Sequence, residues 1–190
     1  MAIEIIEETT EGLPDYAQIP IAFTVVSRLR VQLIASGLGG IALVEEAVAP
    51  YIKDYDAVPG EGPLHWGERW DTSNWGVLSA FDGPRRLGGA TMAWKTPGLD
   101  DLETRGNLAV LWDLRVHPEY RGKGVGHRLF TSAMEWARAR HCRRLKVETQ
   151  NINVPACRFY ARQGCELGAI HRFAYGPTLN EVQLHWYRDI

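Results

Sequence analysis

The stretch Leu111–Phe130 reads LWDLRVHPEYRGKGVGHRLF, and its change of period decides the fold. From Asn107 to Val116 the residues are mostly apolar, as a long buried strand requires, and His117-Pro118 closes the run. Three glycines, Gly122, Gly124 and Gly126, then alternate with larger residues. Beyond them Val125, Leu129, Ala133, Trp136 and Ala137 fall at helical spacing, with Arg138 and Arg140 near the C-terminal end, where cations suit the helix dipole. A glycine-rich loop between strand and helix turns tightly and aims several N–H groups outward, and the helix N-terminus adds partial positive charge. Arg121 and Lys123 supply full charges. A phosphate or pyrophosphate fits there. A Walker loop does not, because Gly124 stands where that motif needs Ser or Thr. The GxGxG spacing also departs from the GxGxxG of dinucleotide folds.

Working outward, Phe23–Ile34 (FTVVSRLRVQLI) is β-branched and partly alternating, so Arg28 and Arg30 share a face. The segment GIALVEEAV (40–48) suits a strand or a short helix equally. The Gly/Pro/Trp-rich stretch from Val58 to Asn74 reads as a long loop. WGVLSAF and RLGGATMAW follow as two strands joined at Asp82-Gly83-Pro84. After the central helix, LKVETQ reads as a strand. Asn153 then caps a helix with Pro155 in its first turn, running through Phe159 and Tyr160 to a stop at Gly164. AIHRFAYG and EVQLHWYRD complete the tail, the second alternating clearly. Strands dominate and helices concentrate after the central strand. This is an α/β protein of the mixed, α+β kind, read as a single domain over 1–190 and best supported over 107–190.

The composition is that of an ordinary globular chain: 190 residues, 45% hydrophobic, 23% charged, formal net charge −2. Near-neutrality argues against nucleic acid as partner, and no apolar run approaches the ~18 residues that span a bilayer. The opening MAIEIIEETTEG is acidic where a signal peptide is basic, so a cytoplasmic protein is expected. Charge is nevertheless uneven. Between Arg115 and Lys146 nine Lys/Arg face only Glu119 and Glu135, leaving +7, which suits an anion site. Three cysteines without CxxC spacing, and histidines without HExxH, give no reason to expect a metal, and Cys157 reads as a small buried hydrophobe.

These residues resemble the GNAT superfamily of N-acetyltransferases. Its acetyl-CoA loop, R/Q-x-x-G-x-G/A, is matched by Arg121, Gly124 and Gly126. Its second motif is matched by Asn153, Ala156, Tyr160 and Gly164. Within the family, VETQNINVPACRFYARQGCELG and the ending HWYRDI are similar to streptothricin acetyltransferases. One departure concerns the substrate. Those enzymes can carry a dense acidic segment suited to a polycation, where this chain has GEGPLHWGERWDTSNW with only Glu61, Glu68 and Asp71.

The resemblance implies a central, mixed, mostly antiparallel twisted sheet with flanking helices and a strand-loop-helix site for acetyl-CoA. The backbone of Leu114, Arg115 and Val116 would pair with the pantetheine arm. Gly122, Lys123, Gly124, Val125 and Gly126, with Arg121, would hold the pyrophosphate. Asn153 would contact the cofactor arm or only cap its helix, and Tyr160 would protonate the departing thiolate. A phenol, with pKa near 10, is protonated at neutral pH and can donate. Asp113 and Glu148 are the candidate bases, and they could equally be a structural hydrogen-bonding pair. The aromatic-acidic loop of His65, Trp66, Glu68, Trp70, Asp71 and Trp75 would wall a cationic substrate or merely pin itself to the core. The expected reaction is acetylation of a primary amine on a small molecule such as a streptothricin-like antibiotic. A protein amine, or a non-catalytic acyl-CoA sensor, is the alternative. A homodimer is the expected assembly.

Overall fold

The computed structural model describes residues 2–103, 106–176 and 179–190. Among the described residues nine strands and four α-helices follow in chain order: β1 (Glu4–Glu8), α1 (Leu13–Tyr16), β2 (Phe23–Ile34), β3 (Gly40–Lys53), α2 (Trp66–Arg69), β4 (Gly76–Asp82), β5 (Arg85–Ala93), β6 (Leu108–Val116), α3 (Val125–Ala139), β7 (Arg144–Gln150), α4 (Val154–Arg162), β8 (Glu166–His171) and β9 (Gln183–Asp189). None of the described helices is long and apolar enough to cross a membrane. The chain divides into two compact units. The first comprises Met1–Ala22, Asp54–Val147 and Tyr187–Ile190; the second comprises Phe23–Lys53 and Glu148–Trp186.

In the first unit β1, β4, β5 and β6 form an antiparallel sheet, and β7 joins β6 in parallel. The adjacent glycines of β5 show why its sequence needs them. A side chain at Gly88 would meet the Arg115 carbonyl at 2.7 Å and Leu129 of α3 at 3.4 Å, whereas one at Gly89 would strike the Tyr16 ring at 2.6 Å. Successive strand residues face opposite layers, and both layers lie close on this strand. On one side α3 buries Val125, Leu129, Ala133, Trp136 and Ala137, the residues its helical period selects. On the other, Leu13, Tyr16, Trp66, Trp75, Leu99 and Leu102 pack against Val77, Ala93 and Val110.

Two features go beyond the sequence reading. EIIEE forms β1 although it is short and acidic, because tertiary partners satisfy its carboxylates. Glu7 accepts hydrogen bonds from Trp136 Nε1 (2.7 Å) and Arg140 (3.0 Å), and Glu8 accepts from Arg86 (2.8 Å). The stretch 58–74 is likewise not all loop, since it contains a 3-10 turn at Pro63–His65 leading into α2.

In the second unit β2 and β3 make a long antiparallel hairpin, which resolves 40–48 as strand. Arg28 and Arg30 do share a face, and both bond the single carboxylate of Glu46 (2.7 and 2.9 Å). α4 packs on β2, with Arg158 paired to Glu45. The last residues of β7, the first of β9, and β8 complete the unit in that strand order.

Candidate active site

In the first unit the central strand β6 is paired unequally. Its parallel ladder to β7 runs from Leu108↔Arg144 to Leu111↔Val147, while its antiparallel ladder to β5 continues to Val116↔Gly88. The register to β5 slips between Thr91↔Asp113 and Met92↔Leu111, so Trp112 is the extra residue of a β-bulge. Leu114, Arg115 and Val116 therefore lie where β6 is laddered to β5 and past the end of its β7 ladder. Their peptide groups on the other edge suit an extended, amide-bearing ligand.

The loop after β6 is shaped by its glycines. Pro118–Tyr120 form one 3-10 turn, and Gly122 (φ 74°) and Gly124 (φ 86°) adopt left-handed conformations that L side chains resist. Gly124 caps α3 without a side-chain hydrogen bond, and no acid occupies the first helical turn. The leading N–H groups of α3 thus meet no competing carboxylate from that turn, and the glycines leave a bare backbone concavity. That is the surface an anionic diphosphate fits.

Arg121, expected at the pyrophosphate, directs donors to the backbone. Its guanidinium donates to the carbonyls of Val116 (3.0 Å), Pro20 and Ala22 (both 3.3 Å), bracing the loop against the segment before β2. Most of the other bases in the +7 window are engaged similarly. Arg115 pairs with Asp113 and Asp56, Arg128 bonds the Ile3 carbonyl, Arg140 bonds Glu7, Arg144 bonds Asp189, and buried Lys146 bonds Asp101 and Glu103. Lys123 Nζ lies over the Tyr120 ring at 5.3 Å on the loop itself.

Asp113 is enclosed. Arg115 grips it through Nε (3.0 Å) and Nη2 (2.7 Å), and the Tyr16 hydroxyl donates to it at 2.6 Å. Arg115 also reaches Asp56 (2.8 and 3.2 Å) and the Ile19 carbonyl (3.1 Å), so it ties β6 to the loop ahead of α2. Burial works against the Arg115 charge, but the two carboxylates outweigh it and push its pKa further up. Burial and the Asp113 charge together hold the Tyr16 phenol well above its usual range, so it remains a donor. The aromatic loop divides in two. Trp66 and Trp75 are core residues, 4% and 6% exposed, whereas Trp70 and Trp112 are half-buried and meet edge to face at 4.9 Å.

In the second unit Glu148 has neutral hydrogen-bonding partners. Its Oε1 accepts from Tyr175 (2.5 Å) and Gln150 (3.0 Å), its Oε2 accepts from Gln183 (2.7 Å), and the His185 ring stands 3.8 Å from Oε2. Burial alone would push its pKa up, but interactions with His185, Tyr175 and Gln183 outweigh that and hold the carboxyl below its ordinary range. Asp113 and Glu148, weighed as a pair from the sequence, thus each have a separate set of partners. Asn153 is a helix cap, its side chain accepting from Ala156 N at 3.2 Å. Tyr160 lies buried on α4 against Phe159, with ring centroids 5.1 Å apart. Cys157 is buried near Thr149, and burial pushes its pKa up to about 11, which makes it inert.

Sequence reasoning missed Tyr175 and Gln183. Both lie in the tail read only for strand alternation, and nothing local links them to Glu148. Gln183, the first residue of β9, is the more legible, since a strand beside β7 must place some side chain opposite its acid.

Comparison with known proteins bears on these features. The chain is 43% identical over 81 residues to streptothricin acetyltransferase A of Bacillus subtilis (strain 168), covering 42% of this chain and 47% of that protein. The match spans about half the length of the curated relatives. A solved Bacillus anthracis str. Ames protein assigned as a streptothricin acetyltransferase, in complex with acetyl coenzyme A, superposes with a TM-score of 0.76 at 27% identity, covering 100% of this chain and 98% of that one. Nourseothricin acetyltransferase shares the fold, with a TM-score of 0.74 at 23% identity over 100% and 99% of the two chains. The model of the acetyltransferase (GNAT) family matches residues 42–165, more than half of the sequence, and the chain belongs to that family.

Proposed function

We propose that the protein is an N-acetyltransferase that moves an acetyl group from acetyl-CoA to a primary amine of a small molecule, in the manner of the streptothricin acetyltransferases it resembles. The whole chain would serve as one such domain, working in the cytoplasm. The observation that carries this reading is the strand-loop-helix of the first unit, where β6 is laddered to β5 past the end of its β7 ladder and α3 begins at a left-handed glycine with no acid in its first turn. The names of the matched relatives support the acceptor.

Acetyl-CoA supplies the acetyl group as an activated thioester. The backbone N–H groups from Gly122 to Gly126, with Lys123 at the rim, hold the pyrophosphate, and Arg121 keeps that loop in shape through its three carbonyls. The peptide groups of Leu114, Arg115 and Val116 align the pantetheine arm, and one N–H there meets the negative charge developing on the carbonyl oxygen. As the neutral amine attacks and the C–S bond breaks, Tyr160 donates its phenolic proton to the departing sulfur, and the proton shed by the new amide nitrogen passes through solvent and restores the phenol. Asn153 fixes the start of α4 and so the position of Tyr160 seven residues on. Of the two acids, Asp113 braces β6 and Glu148 faces the acceptor.

Release of free thiol with streptothricin and a panel of simpler amines tests the reading, with Tyr160→Phe as the control. Steady turnover that falls by about a hundredfold in kcat in the variant, with acetyl-CoA affinity retained, is the expected result. Tight acetyl-CoA binding without thiol release for any amine would make the protein a sensor and overturn the enzyme.

A further inference from the structure

The bulge in β6 singles out Trp112, in the first unit. This residue is the extra one against β5, and it is also the first past the last β7 pair, Leu111↔Val147. A bulge re-aims a side chain. Here it turns Trp112 onto the layer of Tyr16, the layer Asp113 also faces, and the ring packs against that cluster while staying half-buried. Three indoles hold it from the protein side. The rings of Trp66, Trp70 and Trp75 lie 6.3, 4.9 and 5.5 Å from it between centroids. The Trp75 N–H is bound to Thr96 Oγ1 at 2.9 Å, whereas the Trp112 N–H donates to none of the described residues and is not sealed from solvent. Trp112 is thus a braced ring with an open part. It stands two residues, about 7 Å of strand, before Leu114, where the pantetheine arm would begin to align.

The open part of an indole attracts either a cation or another flat apolar group, and the surroundings decide between them. The protein's own Arg69 already lies over Trp70, at 4.4 Å, and among the described residues no cation lies over Trp112. The acids of these segments are engaged. Asp113 and Asp56 pair with Arg115, Glu61 pairs with Arg69, Glu68 bonds His65, and Asp71 accepts from the Ser73 N–H. A cation brought to Trp112 would lose water without gaining a carboxylate there, whereas an uncharged ring gives up only apolar hydration. We propose that Trp112, braced by Trp66, Trp70 and Trp75, stacks on an aromatic ring of the acceptor, and that a short chain joins that ring to the amine that is acetylated. The acceptor is therefore an aralkyl primary amine in chemical class. This rests on the transferase reading above and adds to it the side chain that chooses among amines.

The test compares 2-phenylethylamine with propylamine, in steady-state thiol release and in equilibrium binding to the protein with coenzyme A present. The wild-type protein is expected to prefer the aromatic amine by about tenfold in kcat/KM, carried by KM, the size of one ring half-buried against another. Trp112→Leu removes the aromatic face and should abolish the preference. Trp112→Phe keeps a smaller ring and should reduce it about threefold. Equal use of the two amines by the wild type would overturn the proposal, as would an unchanged preference in Trp112→Leu. So would a loss in Trp112→Leu shared equally by both amines, the mark of a purely structural ring. A third amine, 1,3-diaminopropane, tests the charge: if it is preferred over propylamine and that preference depends on Trp112, the ring receives a cation and the aromatic class is wrong. If 2-phenylethylamine binding depends on Trp112 but no thiol is released from any amine, the stacking site stands and the transferase reading fails.

Discussion

Asp113 and Glu148 are two carboxylates that the sequence presents alike, each within a β-strand of largely apolar surroundings, and the molecule treats them in opposite ways. Asp113 is gripped by a full positive charge. Its partner Arg115 is itself 2% exposed and holds a second acid, Asp56. Glu148 is held by a phenol and two amides, and the ring that can offer it a counter-charge, His185, stands off at 3.8 Å. The difference separates a brace from a binding group. A counter-ion neutralises the acid and closes it to a ligand, whereas neutral donors orient the acid and leave its field intact for a cation to meet. Burial alone would have ranked Asp113 the more suspicious residue, since it is the more enclosed. The kind of partner ranks them the other way.

The comparison breaks first at Arg115. Arg115→Met removes the shared cation and leaves Asp113 enclosed without its counter-charge, with Tyr16 still donating to it. A loss of about 3–5 kcal/mol in unfolding free energy is expected, measured by urea denaturation. Adding Asp113→Leu should recover part of that loss, because the buried acid is then gone as well. Glu148→Gln, by contrast, should lose much less in the same titration, because its remaining partners are neutral and its site is partly open. If Arg115→Met unfolds like wild type, Asp113 is not a brace and returns as a candidate base.

How much of this was legible beforehand follows the range of the interactions. The strand-loop-helix around Gly122–Gly126, the Asp82-Gly83-Pro84 hairpin and the Asn153 cap are local, and each has the expected form. The two-sided role of Gly88 and Gly89, the strand made by EIIEE and the short helix inside 58–74 depend on partners far along the chain. The charge window shows the same limit most plainly. A count of +7 between Arg115 and Lys146 suggested a basic surface, but Arg115 and Lys146 are buried and matched to acids outside that window, at Asp56, Asp101 and Glu103. Linear charge density therefore overstated the field, and the proposed anion site relies instead on backbone N–H groups that composition does not register. The roles of Asp113 and Glu148 were illegible for the same reason, since their partners Tyr16, Tyr175 and Gln183 lie between 27 and 97 residues away.

A finer contrast lies between the two phenols. Tyr16 is wholly buried and donates to Asp113 at 2.6 Å; Tyr175 is half-buried and donates to Glu148 at 2.5 Å. Tyr16→Phe leaves an enclosed carboxylate short of one donor and should cost about 1–3 kcal/mol of stability. Tyr175→Phe should cost less, because Gln150 and solvent remain beside a carboxylate that is partly open. Equal losses in paired urea titrations would erase the distinction between the closed acid and the open one.

The smallest expected effect concerns acid. The folded-state pKa of Glu148 lies below its unfolded value, so its contribution to stability is present above about pH 4.5 and is lost as pH falls through the lowered folded value. Glu8, with burial opposing its charge but Arg86 and Ser79 outweighing it, titrates in the same sense. Arg115 stays charged throughout, so the cation of the closed network adds no titration of its own. Urea midpoints measured from pH 6 to pH 3 should therefore fall for the wild type, and fall less steeply for Glu148→Gln, which has no proton to gain. The Glu8→Gln variant should show the same flattening at its own separate site, and the double variant should show both effects added, since two independent protonations contribute independently to the slope. A Glu148→Gln slope identical to that of the wild type would mean that the donors around Glu148 are not favouring its charged form. The contrast with Asp113 would then reduce to one of exposure alone.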